Sequence, residues 1–175
     1  MDRRAGLEER VEERVSEQSF TDLLAPLVLP AYRLACAMLH DAPAAEDVVQ
    51  EASLIAWRKL PSLRDRTRLR AWFLGIVANE CRNARRRKWT GWLALPGSLS
   101  TMSSEEDVVI RADLRRALIR LSHEDRLVVV LYFYLDMPLA DVAAVVGASA
   151  DAARARLYRA IHRLRPDLDV QEALE

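Results

Sequence analysis

The feature that most constrains this sequence is the helical spacing of apolar residues between positions 69 and 81. Six apolar side chains recur there at intervals of one, three and four residues, which places them on one face of an α-helix. Similar patterns occur over residues 31–40, 48–60 and 153–164. Strand-like alternation is scarce, and the chain contains only five glycines. We therefore expect an all-α fold.

A helix-turn-helix outline occupies residues 138–164. Pro138 opens a short apolar helix, Gly147 supplies the positive φ of a tight turn, and Ser149 is a good N-cap for the next helix. The preceding run LVVVLYFYL, residues 127–135, is rich in β-branched and aromatic residues. Its periodicity leaves a helix and a buried strand equally open.

Composition divides the chain into two small helical domains. The segment Trp89–Asp107 combines Gly, Pro, Ser and acidic residues without sustained periodicity, which indicates a linker, and a helix over Ala112–Leu121 follows it. Pro26 and Pro30 enclose an apolar turn; an irregular start to the first helix explains it better than an inhibitor-binding surface does. The expected segments are a charged N-terminal arm (1–19), a helical bundle (20–88), the linker (89–110), a helix-turn-helix domain (111–165) and an acidic tail (166–175).

Charge is distributed unevenly although 26 basic residues balance 26 acidic ones. Residues 61–92 contain nine basic and two acidic side chains, and residues 151–165 contain five and one. Residues 1–60 contain seven basic and eleven acidic side chains. Clustered arginine is typical of surfaces that bind nucleic acid, and solvated helix faces are the alternative.

In order and spacing these blocks resemble the extracytoplasmic-function sigma factors of bacterial RNA polymerase. Region 2 of that family is similar to AYRLACAMLHDAPAAEDVVQEASLIAWRKL and SLRDRTRLRAWFLGIVANECRNARRRK, and region 4 is similar to ALIRLSHEDRLVVVLYFYLDMPLADVAAVVGASADAARARLYRAIHRLR. The resemblance implies a transcription initiation factor that catalyses no bond chemistry and needs no cofactor or metal. It implies three partners: core polymerase, through the clamp helices of its largest subunit and its flap; promoter DNA; and an anti-sigma factor.

The resemblance also assigns roles to individual residues. An acidic helix face would dock on polymerase, comprising Glu46, Asp47, Gln50 and Glu51. The minus-ten element would be opened and bound by Arg64, Asp65, Arg66, Thr67, Arg68, Asn79, Arg82, Asn83 and Arg86. The minus-35 element would be read by Ser149, Arg154, Ala155, Arg156, Tyr158 and Arg159. Side-chain amides pair with base edges, whereas guanidinium groups chiefly hold phosphates.

Two positions qualify these assignments. Trp72 matches an aromatic residue of the family, but it lies on the apolar face of its helix, so we expect it to pack in the core. Asp151 and Ala152 depart from the residues usual in that family, as does Ala155. A carboxylate at Asp151 stabilises the helix dipole but repels a nearby phosphate, which puts the minus-35 preference in doubt.

Three other classes of protein remain as alternatives: a helix-turn-helix regulator, an enzyme, and a purely structural helical adaptor, which would leave both arginine-rich segments unexplained. A helix-turn-helix regulator would bind duplex operators by itself, usually as a dimer, and would have little need for the acidic helix. An enzyme such as a metal-dependent nuclease would need clustered ligands, whereas His40, His123 and His162 are far apart in the sequence.

The remaining signals predict a cytoplasmic protein. The first twenty residues lack the apolar run of a signal peptide, and the nearly uncharged stretch Phe20–Tyr32 is too short to span a membrane. Cys36 and Cys81 lie outside any metal-binding spacing, so we expect two buried, reduced thiols.

Overall fold

A computed structural model describes the backbone of residues 3–90 and 116–164, and the side chains of residues 19–87 and 116–164. Within these ranges the chain is helical and contains no strand, which confirms the expected all-α fold. The named α-helices are α1 (Arg3–Leu39), α2 (Ala42–Lys59), α3 (Leu69–Thr90), α4 (His123–Val129), α5 (Leu139–Val146) and α6 (Ala150–Leu164). Residues 116–120 are also helical.

Helices α1, α2 and α3 pack against one another to form the first domain. Asp41 caps the start of α2 by accepting a hydrogen bond from the backbone N–H of Ala44 at 3.0 Å. The centre of α3 contributes Phe73, Leu74 and Val77, all fully buried. Each such side chain contributes about 2 kcal/mol through the apolar surface it removes from water. The predicted apolar face of α3 is therefore the core face, with Leu74 added to it.

The prediction for the first helix was wrong about where it begins. The sequence indicated an irregular start around Pro26 and Pro30, but α1 is continuous from Arg3 to Leu39 and includes both prolines and most of the predicted N-terminal arm. A proline inside a helix removes one backbone hydrogen bond and crowds the preceding turn. Leu24 and Leu34, on either side of the two prolines, are buried in the core, and their packing offsets that cost.

Part of α1 has the length and apolarity of a membrane span. The segment Ser19–Leu39 has a mean hydropathy of 1.4. It is longer than the nearly uncharged stretch Phe20–Tyr32 that the sequence indicates. Its residues Leu24, Ala31 and Leu34 are buried in the hydrophobic core. Val28 and Leu29 are exposed, so the segment contributes one face to the core, and its length and apolarity alone do not make it a membrane span.

The ambiguous run 127–135 is helical. Helix α4 covers its first residues, and a π-helical turn follows over Val130–Tyr134. The wider turn leaves Val130 and Leu131 buried while Phe133 and Tyr134 are each 60% exposed. The β-branched residues of this run therefore do not form a strand, because burial against the neighbouring helices outweighs their preference for one.

The helix-turn-helix is confirmed in its details. Pro138 is the N-cap of α5, and Gly147 ends α5 in the left-handed region with φ 67°. The hydroxyl of Ser149 accepts a hydrogen bond from the backbone N–H of Ala152 at 3.2 Å at the start of α6. Helix α6 buries Ala153, Leu157, Ala160 and Leu164 against α4 and α5.

The second domain lies directly against the first, because α5 packs on α3. Helix α3 continues to Thr90, two residues into the predicted linker. The rest of the linker, the first part of the helix expected over Ala112–Leu121, and the acidic tail lie outside the described residues.

Candidate functional site

The acidic face of α2 is open to solvent. Glu46, Asp47, Gln50 and Glu51 are all exposed, as the sequence predicted. They lie opposite the buried residues of α2, which face α1 and α3. The one ion pair described on this face joins Glu51 Oε1 to Arg58 Nη2 at 3.7 Å between two exposed side chains, so it adds little stability.

A short arginine-rich loop joins α2 to α3. It comprises two 3₁₀ turns, Leu60–Ser62 and Arg66–Arg68. Asp65 caps the second turn by accepting a hydrogen bond from the backbone N–H of Thr67 at 3.0 Å. Hydrogen bonds from Thr67 also hold the pKa of the Asp65 carboxyl below its usual value. Arg64, Arg66 and Arg68 are exposed around this cap, so the loop presents a cluster of cations on a defined backbone.

Four of the predicted residues share the polar face of α3. Asn79 accepts a hydrogen bond from Arg82 Nη1 at 2.7 Å, and the Asn83 amide donates one to Glu80 at 3.0 Å. Asn79, Asn83 and Arg86 are exposed, but Arg82 is only partly so. The amides predicted to meet bases are thus accessible and oriented by neighbours one helical turn away.

Arg82 is held by the second domain. Its Nε lies 2.9 Å from Glu124 Oε1 and its Nη2 lies 3.0 Å from Oε2, a bidentate pair between α3 and the first turn of α4. The hydrogen bonds between them raise the pKa of Arg82 and lower the pKa of Glu124. Arg156 of α6 approaches the same Oε2 at 3.6 Å. We call this set, Arg82–Glu124–Arg156, the carboxylate bridge.

A buried arginine fixes a second contact between the domains. Arg126 is 8% exposed and donates to the carbonyl oxygens of Leu118 at 2.8 Å and Ile119 at 2.9 Å. Its Nη1 also lies 2.7 Å from Nε2 of His40, which follows the end of α1. Burial lowers the pKa of the Arg126 guanidinium. The group is hydrogen-bonded on several sides, which compensates much of its desolvation.

His123 is buried beside the carboxylate bridge without hydrogen-bond partners. It is 7% exposed, and neither ring nitrogen has a partner. Burial, followed by the nearby charge of Arg85, lowers its pKa to about 4. The ring is therefore neutral at pH 7.

A cleft of about 580 Å³ separates part of the two domains. One wall consists of α3 residues, including Trp72, Asn79 and Arg82, and it continues to Arg68 of the loop. The opposite wall is the end of α5 with Gly147. Trp72 is partly buried and packs against the hydrophobic core, in agreement with its position on the apolar face.

The polar face of α6 is largely open. Tyr158 is 72% exposed, and Arg154, Ala155 and Arg159 are exposed beside it, whereas Arg156 is turned toward Glu124. Arg154 Nη1 lies 3.4 Å from Asp151 Oδ1. Asp151, at the start of this helix, therefore partly neutralises the charge of Arg154, one of the predicted minus-35 residues.

The thiols and histidines form no reactive centre among the described residues. Cys36 and Cys81 are free and buried, as expected, and burial raises the pKa of Cys81 to about 12. Groups of histidine, cysteine and acidic residues that could hold a metal ion do not occur in residues 19–87 and 116–164.

Sequence reasoning missed Glu124 and Arg126. Glu124 lies 42 residues after Arg82, and Arg126 lies 86 residues after His40, so no local pattern relates either pair. The single available signal was a charged cluster, His123 to Arg126, immediately before an apolar run.

Comparison with known families supports both domains. The family model for Sigma-70 region 2 matches residues 23–90, and that for Sigma-70 region 4 matches residues 111–164. The chain is 33% identical over 151 residues to the ECF RNA polymerase sigma factor SigL of Mycobacterium tuberculosis, covering 81% of this chain and 82% of that protein. It is 25% identical over 142 residues to the RNA polymerase sigma factor SigV of Bacillus subtilis, covering 81% and 86%.

Solved structures show the same fold. The sigma factor RpoE from Bartonella quintana, in complex with the anti-sigma factor NepR, matches with a TM-score of 0.76 and 24% identity over 89% of this chain and 99% of that one. CnrH, in complex with the cytosolic domain of CnrY, matches with a TM-score of 0.68 and 26% identity over 89% and 91%.

Proposed function

The chain belongs to the extracytoplasmic-function sigma factors of bacterial RNA polymerase, and from that membership we propose which of its surfaces meet polymerase and promoter. As a member of that family it is an alternative sigma factor, which binds core RNA polymerase and directs promoter-specific transcription initiation. We propose that it acts in the cytoplasm and has no catalytic chemistry of its own.

The polymerase contact lies on the acidic face of α2. The observation that supports it most directly is that Glu46, Asp47, Gln50 and Glu51 share one exposed face. Such a face suits the basic clamp helices of the largest polymerase subunit, and complementary charge chiefly fixes orientation and speeds association. The second domain would contact the flap.

The minus-ten contact extends from the arginine-rich loop along the polar face of α3. Unstacking a base costs a few kcal/mol, so the protein must offer both a pocket and cations for the phosphates. Arg64, Arg66 and Arg68 supply cations around the capped loop. Asn79 and Asn83 supply amides for base edges, with Arg82 and Arg86 beside them for phosphates.

The minus-35 contact lies on α6. Its first turn follows the Ser149 cap, and Arg154, Arg156, Tyr158 and Arg159 are spaced as in a helix that enters the major groove. Ala155 is small enough to let the helix approach the bases closely. The Asp151–Arg154 ion pair must be exchanged for a DNA contact, which reduces the gain from that arginine.

An anti-sigma factor is the partner we propose for regulation. The two solved structures named above are complexes, one with the anti-sigma factor NepR and one with the cytosolic domain of CnrY. We place the two functional domains at residues 20–88 and 111–165, joined by the linker at 89–110, and an inhibitor that contacts both would block polymerase and promoter together.

Run-off transcription with purified core polymerase on a promoter library tests this assignment. We expect transcripts from a defined promoter class only when the chain is present. Asn79→Ala with Asn83→Ala should change the selected minus-ten sequence and leave the minus-35 preference unchanged. Arg154→Gln with Arg159→Gln should do the reverse, so each pair is the control for the other.

The alternative of a self-sufficient helix-turn-helix regulator predicts a different result. Tight, sequence-specific binding to duplex DNA in a gel shift without polymerase, together with no promoter-specific transcript when polymerase is added, would refute the sigma-factor assignment.

A further inference from the structure

The two exposed side-chain amides of α3 are each held by a charged neighbour one helical turn away. Arg82 Nη1 donates to Asn79 Oδ1 at 2.7 Å, and Asn83 Nδ2 donates to Glu80 Oε1 at 3.0 Å. Both contacts join residues of the same helix that are three positions apart. The two amides therefore have partners of opposite charge.

The chemistry of these partners determines how each amide is turned. A guanidinium group only donates hydrogen bonds, and an ionised carboxylate only accepts them. Asn79 therefore turns its carbonyl oxygen toward Arg82, which leaves its NH₂ group to face outward. Asn83 turns its NH₂ group toward Glu80, which leaves its carbonyl oxygen to face outward. Reversing either amide would place two donors or two acceptors against each other.

The two outward-facing groups suit different bases. At the edge that faces the major groove of a duplex, guanine and thymine present keto oxygens, which accept hydrogen bonds, whereas adenine and cytosine present amino groups, which donate them. The NH₂ group of Asn79 therefore favours a keto base, and the carbonyl oxygen of Asn83 favours an amino base. The two residues are about 6 Å apart along the helix axis. Stacked bases in one strand are about 3.4 Å apart, so each amide has a separate base within reach.

Glu80 is the only acidic residue in the sequence of α3, a helix that is otherwise rich in arginine. A carboxylate on a surface that meets phosphates weakens the attraction of that surface for DNA. Glu80 is only partly exposed, and its carboxylate accepts the hydrogen bond from Asn83. Orientation of the Asn83 amide gives this acid a role in a basic helix.

We infer that Glu80 is a positioning residue for base selection in the minus-ten element: it holds the NH₂ group of Asn83, so that the Asn83 carbonyl selects adenine or cytosine, while Asn79 selects guanine or thymine. This inference rests on the proposed function, because it takes the two amides as base contacts. Glu80 acts through Asn83 and contacts no base itself.

The test is run-off transcription with core polymerase and the full chain on a promoter library randomised through the minus-ten element, scored by sequencing barcoded transcripts. Asn79→Ala and Asn83→Ala first locate the base position that each amide contacts, because each variant should lose its preference at one position. The wild type should favour guanine or thymine at the Asn79 position, and adenine or cytosine at the Asn83 position.

Glu80→Gln and Glu80→Lys then change the partner of Asn83. Glutamine both donates and accepts, so it allows either orientation of the amide, and the preference for adenine or cytosine should fall roughly threefold to tenfold. Lysine only donates, so it should turn the Asn83 carbonyl inward and shift the preference to guanine or thymine. The preference at the Asn79 position should stay unchanged in both variants. Glu80→Gln keeps the size of the side chain and tests the inference even where Glu80→Lys fails to fold.

Asp22→Asn and Asp22→Lys are the matched controls. They make the same changes of charge at an exposed position of α1, outside the proposed DNA surface. Both should keep the wild-type base preferences at every position of the minus-ten element. They separate reorientation of Asn83 from a general effect of added positive charge on DNA affinity.

Equal use of the four bases at the Asn83 position in the wild type, or a preference for guanine or thymine there, would overturn the inference. So would an unchanged preference at that position in both Glu80 variants, or the same shift in the Asp22 controls. Failure of the proposed function gives a different result. A chain that yields no promoter-specific transcript, or that ignores Asn79→Ala and Asn83→Ala, loses the minus-ten assignment. A chain that responds to both alanine variants and ignores the Glu80 variants loses only the role of Glu80.

Discussion

The proposed polymerase face of α2 and the proposed promoter face of α3 differ in accessibility, although the two helices pack against each other. On α2, Glu46, Asp47, Gln50 and Glu51 are exposed. On α3, Arg82 is bound to Glu124 of the second domain, and Asn79 lines the cleft between the domains. One face is ready for its proposed partner, and the other is partly covered.

Polymerase can reach the exposed side chains of α2 as they stand. A promoter phosphate can reach Arg82 only by displacing Glu124 or by sharing the guanidinium with it.

Arg126→Met should produce the largest loss of stability. The substitution removes a buried group that hydrogen-bonds to Leu118, Ile119 and the His40 ring, and it leaves those carbonyl oxygens without their donor. We expect the free energy of unfolding to fall by about 3 kcal/mol, measured by urea denaturation.

Arg159→Met is the matched control for that change, because Arg159 is exposed on α6. Its free energy of unfolding should stay within about 0.5 kcal/mol of the wild type. Equal values for the two variants would show that the Arg126 contacts do not stabilise the covered arrangement, and the contrast between the two faces would lose its physical basis.

Local features of the fold were predictable from sequence, whereas contacts between the domains were not. Gly147 and Ser149 mark their turn and cap by backbone and side-chain chemistry that acts within a few residues, and both behave as expected. The Arg82–Glu124 pair depends on how two domains pack, and no spacing along the chain encodes that. The residues predicted on α2 are all exposed, because the amphipathic pattern of a single helix determines which of its side chains face solvent.

Two helical segments show why periodicity has limits. Prolines predicted an interruption of α1, but packing of Leu24 and Leu34 maintains the helix through them. The run 127–135 had strand-like composition, yet it forms the end of α4 and a π-helical turn because Val130 and Leu131 are buried against neighbouring helices. In both cases tertiary packing outweighs the local preference.

The pH dependence of stability tests whether His123 is buried beside the carboxylate bridge. Its pKa is about 4 in the folded chain against 6.5 ordinarily, so the unfolded chain takes up a proton first as the pH falls. Stability should therefore decrease as the pH falls through this window, by about 2 kcal/mol between pH 7 and pH 5. Glu124, whose pKa is lowered, keeps its stabilising charge until the pH falls below its ordinary range.

His123→Gln should remove most of that slope between pH 7 and pH 5, whereas His162→Gln, at an exposed position of α6, should keep it. Urea denaturation at several pH values measures the slope. A wild-type slope retained in His123→Gln would mean that the ring is not buried neutral beside the carboxylate bridge, and the covered face would be more open than the structure has it.

Charge reversal on the open face should weaken polymerase binding without affecting the fold. Asp47→Lys with Glu51→Lys replaces two exposed carboxylates, and we expect about a tenfold loss of affinity for core polymerase, or about 1.4 kcal/mol. Association measured by fluorescence anisotropy at two salt concentrations should show the loss mainly in the rate of binding. Unchanged affinity would remove α2 from the polymerase interface, and the open face would then need another explanation.

Alanine at Gly75 and Gly147 should give the smallest effects, of opposite sign. Both glycines line the cleft, and a Cβ added at either position meets no atom within 4 Å. Gly75 lies inside α3, where alanine stabilises a helix by up to about 1 kcal/mol, whereas Gly147 has φ 67° and alanine there costs about 1 kcal/mol in backbone strain. Melting temperatures should shift a few degrees up for the first and down for the second. Destabilisation by both substitutions would mean that the two domains pack more tightly at the cleft than the structure shows. A gain in stability at Gly75 would agree with a cleft that has room for an added methyl group on α3.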